Sequence, residues 1–100
     1  MNKITKVSDI SPLDLAEFLR IADPSENDLQ LLEILLNSAV GYVKNYTGLN
    51  ATDVDRIVEF IDVVFILVQD MYDNRTLYVD NQNVNKVVDS ILGMHSINLL

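Results

Sequence analysis

TDVDRIVEFIDVVFILVQDMYDNR, residues 52–75, is the stretch on which the fold turns. It holds the densest apolar run of the chain, Val63-Val64-Phe65-Ile66-Leu67-Val68, and neither glycine nor proline interrupts it. Taken singly, its β-branched residues suit a strand. Its length favours a helix, because strands this long without a breaker are rare. Thr52 is the expected N-cap, with Asp53 and Asp55 at the positive end of the helix dipole. On a helix, Asp55, Glu59, Asp62, Gln69 and Asp73 share one narrow polar stripe, and nearly everything else is apolar. A helix wetted on so narrow a face needs cover on several sides.

The neighbouring segments read as that cover. Residues 25–47 predict a second long helix: Asp28 follows Ser25 by three positions, a variant of the capping box. Leu29, Leu32, Leu35, Leu36, Ala39, Val40, Val43 and Tyr46 recur at helical spacing, and Gly48 is a natural stop. Gln30, Glu33, Asn37, Gly41 and Lys44 form the opposite, polar stripe. Gly41 either allows a close helix approach or is a tolerated surface glycine, at a cost of about 1 kcal/mol relative to alanine. Leu31 and Ile34 lie off the main apolar stripe and are candidates for a second interface. The link at 49–51 is short, so the two long helices are expected to run antiparallel.

Ser11-Pro12 opens a shorter helix, with Leu13, Leu15, Ala16, Phe18 and Leu19 toward the interior and Asp23-Pro24 as its stop. After Arg75, Asp80-Asn81 is turn chemistry. Val84, Val87, Val88, Ile91 and Leu92 mark a last amphipathic helix that Gly93 is expected to end. The expected fold is therefore all-α, a small domain of four helices near 12–20, 26–47, 53–74 and 83–92. Leu32, Leu36, Ala39, Val43, Ile57, Ile61, Val64, Phe65 and Val68 are its expected core. Residues 1–10, with Lys3 and Lys6, read as an N-terminal arm, either loose or docked on an acidic neighbour. Residues 11–93 read as the helical domain and 94–100 as an apolar tail.

Composition bounds the function. One hundred residues suit one domain. With 49% hydrophobic residues the chain is too apolar to be disordered, and a domain this small leaves some of that surface for a partner. A net charge of −8 argues against gripping nucleic acid by its phosphates and toward protein partners. No cysteine is present, which removes thiolate chemistry, disulfides and cysteine-ligated zinc. The first ten residues lack the apolar core of a signal peptide, and Asp62, Gln69 and Asp70 interrupt the central run, so no membrane span is expected. The sequons at Asn45, Asn50 and Asn74 read as chance in an asparagine-rich chain.

Catalytic constellations are thin. His95 is the only histidine, and it reads as a surface or interface residue. Asp53, Asp55, Glu59 and Asp62 read as a solvated helix face and not as a cation site. Residues 80–85 depart from the EF-hand pattern at the fifth position and lack its glycine. No enzyme activity, metal or cofactor is expected.

Some motifs carry a resemblance. They are Leu15, Phe18, Leu19 and Arg20; Ala39, Tyr42, Val43, Tyr46, Thr47 and Gly48; and Tyr72, Asn74 and Arg75. In that order and spacing, over roughly residues 13–92, the chain resembles the head–tail connector (adaptor) family of long-tailed bacteriophages. The resemblance implies a structural virion protein that forms a homo-oligomeric ring under the portal, joins the capsid to a downstream neck or tail-completion protein, and lets DNA pass. A dodecamer is one candidate for the ring in the virion. The expected location is the virion neck, after assembly in the bacterial host cytoplasm. Leu31, Ile34, Tyr72 and Arg75 are then the candidate subunit interface, and Ile97, Leu99 and Leu100 the candidate anchor on the portal or a neighbour. The tail here is longer and more apolar than the Pro-Tyr-Arg endings of many members. From the residues alone, a small acidic helical regulator that blocks a host or phage protein stays open. A helix-turn-helix DNA binder is disfavoured, because no helix has a basic face.

Overall fold

Local capping sets most of the helix starts. In the computed structural model, which describes residues 4–97, Ser11 and Ser25 each build a reciprocal capping box. The serine hydroxyl accepts the N–H of the third helical residue, Asp14 or Asp28, whose carboxylate accepts the serine N–H. The helices they open are α1 (Pro12–Phe18) and α2 (Glu26–Thr47). Three more follow: α3 (Ala51–Asp55), α4 (Glu59–Asn74) and α5 (Lys86–His95). A short 3-10 turn, Val7–Asp9, precedes them, and no strand occurs among the described residues.

The long central helix expected over 53–74 is two helices. Asn50, not Thr52, caps the first of them by accepting the Asp53 N–H at 2.8 Å. The chain tightens on both sides of the junction: Arg56 bonds Asp53, Ile57 bonds Val54, Phe60 bonds Ile57 and Ile61 bonds Val58, all at three-residue spacing. The break has a packing reason. Six positions apart on one straight helix, Val54 and Phe60 would point about 120° away from each other. Re-aimed at the junction, both are buried. The same break removes Asp55 from the acidic stripe of α4. Asp55 instead accepts the Ser8 N–H at 3.0 Å and its hydroxyl at 2.7 Å, which ties the N-terminal turn down.

That turn corrects the expectation of a free arm. Val7 and Ile10 are buried in the core, and the turn packs on α3 and α4. Residues 1–3 lie outside the described chain.

α2 is the spine. It packs on α1, α3, α4 and α5, with Leu32, Leu35, Leu36, Ala39 and Val43 buried, while α4 contributes Phe60, Val63, Val64, Leu67, Val68 and Met71. Of the expected core, Ile57, Ile61 and Phe65 are only partly buried, because the break in the helix turns that flank outward. Gly48 ends α2 in the left-handed region, at φ 76°. Nothing approaches Gly41, so it is a surface glycine and marks no close helix contact. α4 runs back along α2, and the Ser38 hydroxyl of α2 donates to the Leu77 carbonyl, just past the end of α4, at 2.8 Å.

α1 and α4 end alike. In α1, Ile21 bonds back to Ala16 and Arg20 to Glu17, with Arg20 at φ 60°. In α4, Thr76 bonds Met71 and Arg75 bonds Tyr72, with Arg75 at φ 57°. Each is the paired closure that usually places glycine in the left-handed position; here each places an arginine there. α1 therefore stops before Asp23-Pro24.

Gly93 does not end the last helix. Asp80 folds residues 80–83 into a turn, Asn85 caps the helix on the Val87 N–H, and the helix starts at Lys86. It continues through Gly93 to His95, because one more turn stacks the His95 ring edge-on against Phe60, 5.3 Å between centres, and brings its Nε2 within 3.1 Å of Glu59. Val88 and Leu92 are fully buried against α2 and α4.

Candidate functional site

The candidate interface residues fall at two places along α2, its middle and its C-terminal end. Leu31 packs partly into the core and is less available than its sequence position implied. Ile34, one turn before Ser38, is 49% exposed. Through the Ser38–Leu77 bond this middle stretch of α2 lies beside the end of α4, which is followed by the exposed Leu77 and Tyr78. Tyr72 and Arg75 close α4 at that end, with the guanidinium 5.4 Å from the centre of the Tyr72 ring. The Ser38–Leu77 bond thus brings the chain just past Tyr72 and Arg75 to the turn of α2 that follows Ile34. It adds Leu77 and Tyr78, whose exposure the sequence pattern did not mark.

The tail begins at the C-terminal end of α2. The Ile97 N–H donates to the Thr47 carbonyl at 2.8 Å, and the Ser96 hydroxyl donates to the Tyr46 carbonyl at 3.3 Å. Both carbonyls belong to the last turn of α2, where no intrahelical donor remains. Ile97 is 44% exposed and lies over Gly48. Met94, and Val58 beside the Glu59 partner of His95, are exposed near it. Leu99 and Leu100, the other anchor candidates, lie outside the described residues. From Ile34 to Thr47 is thirteen residues of α2, about 20 Å at 1.5 Å per residue.

Two clefts flank these places. One, of about 300 Å³, lies between the end of α4 and the 76–84 connection, lined by Leu67, Asp70, Met71, Val79 and Val84 among others. Burial, and then the nearby Asp73 charge, raise the Asp70 carboxyl above its ordinary value. Asp80 at its rim is lowered, first by the Asn83 amide and then by the Gln82 N–H. This carboxylate is used by its own turn.

The second cleft, open and about 440 Å³, lies between α2 and α5 and is lined by Tyr42, Asn45, Tyr46, Asn81 and Asp89. The tyrosine rings are tilted against each other, 5.9 Å between centres. The Tyr46 hydroxyl donates to Asp89 Oδ1 at 2.7 Å. Burial, then the Asp89 charge, raise the Tyr42 phenol; for Tyr46 the hydrogen bond to Asp89 leads. In the sequence Tyr46 stood out as a helix-face residue and both tyrosines as part of the motif that carries the resemblance, but Asp89 did not stand out at all. Their meeting depends on how α5 docks, which no local pattern encodes.

Among the described residues no three His, Asp or Glu side chains converge as a metal group, and no helix is long and apolar enough to cross a membrane. No family model matches the chain, nor does any curated protein or solved structure.

Proposed function

We propose that the chain is a structural adaptor of the head–tail connector kind, a non-enzymatic protein that assembles as a ring between a portal and a neck or tail protein. The observation that supports this reading is a pair of exposed apolar groups about 20 Å apart along α2: Ile34, Leu77 and Tyr78 with the Tyr72–Arg75 pair beside its middle, and Val58, Met94 and Ile97 at its C-terminal end. A protein that bridges two others needs two faces, and a small domain that leaves both apolar gains by covering them. The net charge of −8 fits a channel through which duplex DNA slides without being held.

Light scattering on the purified protein, with and without portal rings, tests the reading. A connector gives a ring-sized species or a stable portal complex, and Ile34→Asp or Ile97→Asp reduces it while helicity is kept. A discrete complex with an unrelated protein, and no species formed with portal, would favour the blocking regulator instead. Retardation of duplex DNA that falls steeply with salt would exclude both.

A further inference from the structure

We propose that the cleft between α2 and α5 receives an arginine side chain from a protein partner, its guanidinium lying against the Tyr42–Tyr46 rings and bonding the Asp89 carboxylate. The inference does not depend on the adaptor reading, since a regulator would use the same cleft.

Three observations carry it. Asp89 spends Oδ1 on the Tyr46 hydroxyl, and among the described residues it has no ion pair, although Lys86 stands one turn earlier on the same helix. The carboxylate is therefore held in place by a neutral donor, with an oxygen left for a cation. The two tyrosines line the same cleft, and their ring faces attract cations. Finally, the chain carries an excess of negative charge, so a cationic partner is drawn to it at long range.

The geometry selects guanidinium among cations. A planar group stacks on an aromatic face and forks onto a carboxylate, whereas an ammonium acts as a hydrated point charge. A hard metal ion needs several oxygen ligands, and this cleft offers one carboxylate. The Asn45 and Asn81 side chains at the cleft supply further hydrogen-bonding groups for the remaining guanidinium N–H donors.

The test is a titration of the whole chain with acetyl-Gly-Arg-Gly-amide, followed by NMR on the Tyr42 and Tyr46 rings and the Asn45 and Asn81 amides. Matching peptides carry lysine or glutamine in place of arginine. The expected result is a saturable shift at these four residues, weaker with lysine and absent with glutamine. Asp89→Asn keeps an oxygen to accept the Tyr46 hydroxyl but removes the charge. It should weaken arginine binding by up to about fivefold, the upper range for an exposed ion pair. No saturable shift, an equal response to lysine or glutamine, or unchanged binding by Asp89→Asn with its native spectrum would each overturn the proposal.

Discussion

Replacing Arg75 by glycine separates what its backbone does from what its side chain does. The backbone of Arg75 sits at φ 57° and closes α4 through the Arg75–Tyr72 and Thr76–Met71 bonds. A residue with a Cβ pays about 1–2 kcal/mol to occupy that region, and glycine does not. Against this relief stands the loss of the exposed cation–π contact with Tyr72, about 0.5–1 kcal/mol, and the larger conformational entropy of glycine in the unfolded chain, about 0.4–1 kcal/mol. The sum for Arg75→Gly is close to zero. Arg75→Ala loses the same contact and keeps the strained backbone, so it should be the less stable of the two by about 1 kcal/mol, or roughly 4–8 °C in Tm for a domain of this size. Thermal and urea unfolding followed by far-UV circular dichroism measure both. If Arg75→Ala proves as stable as Arg75→Gly, the left-handed closure is not where the strain lies and the reasoning fails. Under the adaptor proposal both variants lose portal-dependent assembly. A glycine variant that is fully stable and assembles normally would remove Arg75 from the interface.

Three other perturbations follow from the same structure. Phe60→Ala empties a fully buried position at the start of α4 and should cost about 3–5 kcal/mol. Phe65→Ala, whose partly exposed ring meets Phe18 at 5.0 Å, should cost clearly less, and the reverse order in urea titrations would contradict the packing. Gly48→Ala finds room, with Ile97 at an ordinary 3.6 Å, so the left-handed backbone, less the entropy alanine removes from the unfolded chain, should cost about 1 kcal/mol, read as a lower urea midpoint at unchanged slope. For Asp70, the folded-state value is raised above the ordinary 3.8, so the folded protein holds the proton more tightly than the unfolded chain. Its penalty is full above the raised value and disappears as pH falls below 3.8. Asp70→Asn should therefore stabilise at pH 7, by less than about 1 kcal/mol for a group this accessible. The gain should vanish near pH 3, and a gain that grew in acid would reverse the assignment.

What could be read before folding was whatever the chain states locally. Ser11, Ser25 and Gly48 declared their helix ends, since each cap is made with residues within four positions. The period of α2 was legible because one face stays buried along its length. The α3–α4 break was hidden, because no glycine or proline marks Arg56-Ile57-Val58, and only the demand to bury both Val54 and Phe60 reveals it. Gly93 misled for a related reason: the contacts of His95 with Phe60 and Glu59, 35 and 36 positions away in sequence, outweigh its helix-ending tendency. The N-terminal turn looked loose because Asp55, the partner of Ser8, was assigned to a solvated stripe. At the candidate interfaces, Ile34 was visible as a misfit of the helical pattern and Arg75 through the motif that carries the resemblance. Leu77, Tyr78 and the Tyr42–Tyr46–Asp89 cleft were not, since their exposure and grouping come from the packing of helices distant in sequence.

The docking of α5 has a consequence for biosynthesis. Val88 and Leu92 complete a core whose other walls, α2 and α4, emerge from the ribosome earlier. Until α5 docks, the groove between those two helices stands open and apolar. During that interval a chaperone or a second nascent chain can occupy the place of α5. Ending the chain at Asn85 should therefore leave the groove uncovered and raise aggregation relative to the full chain.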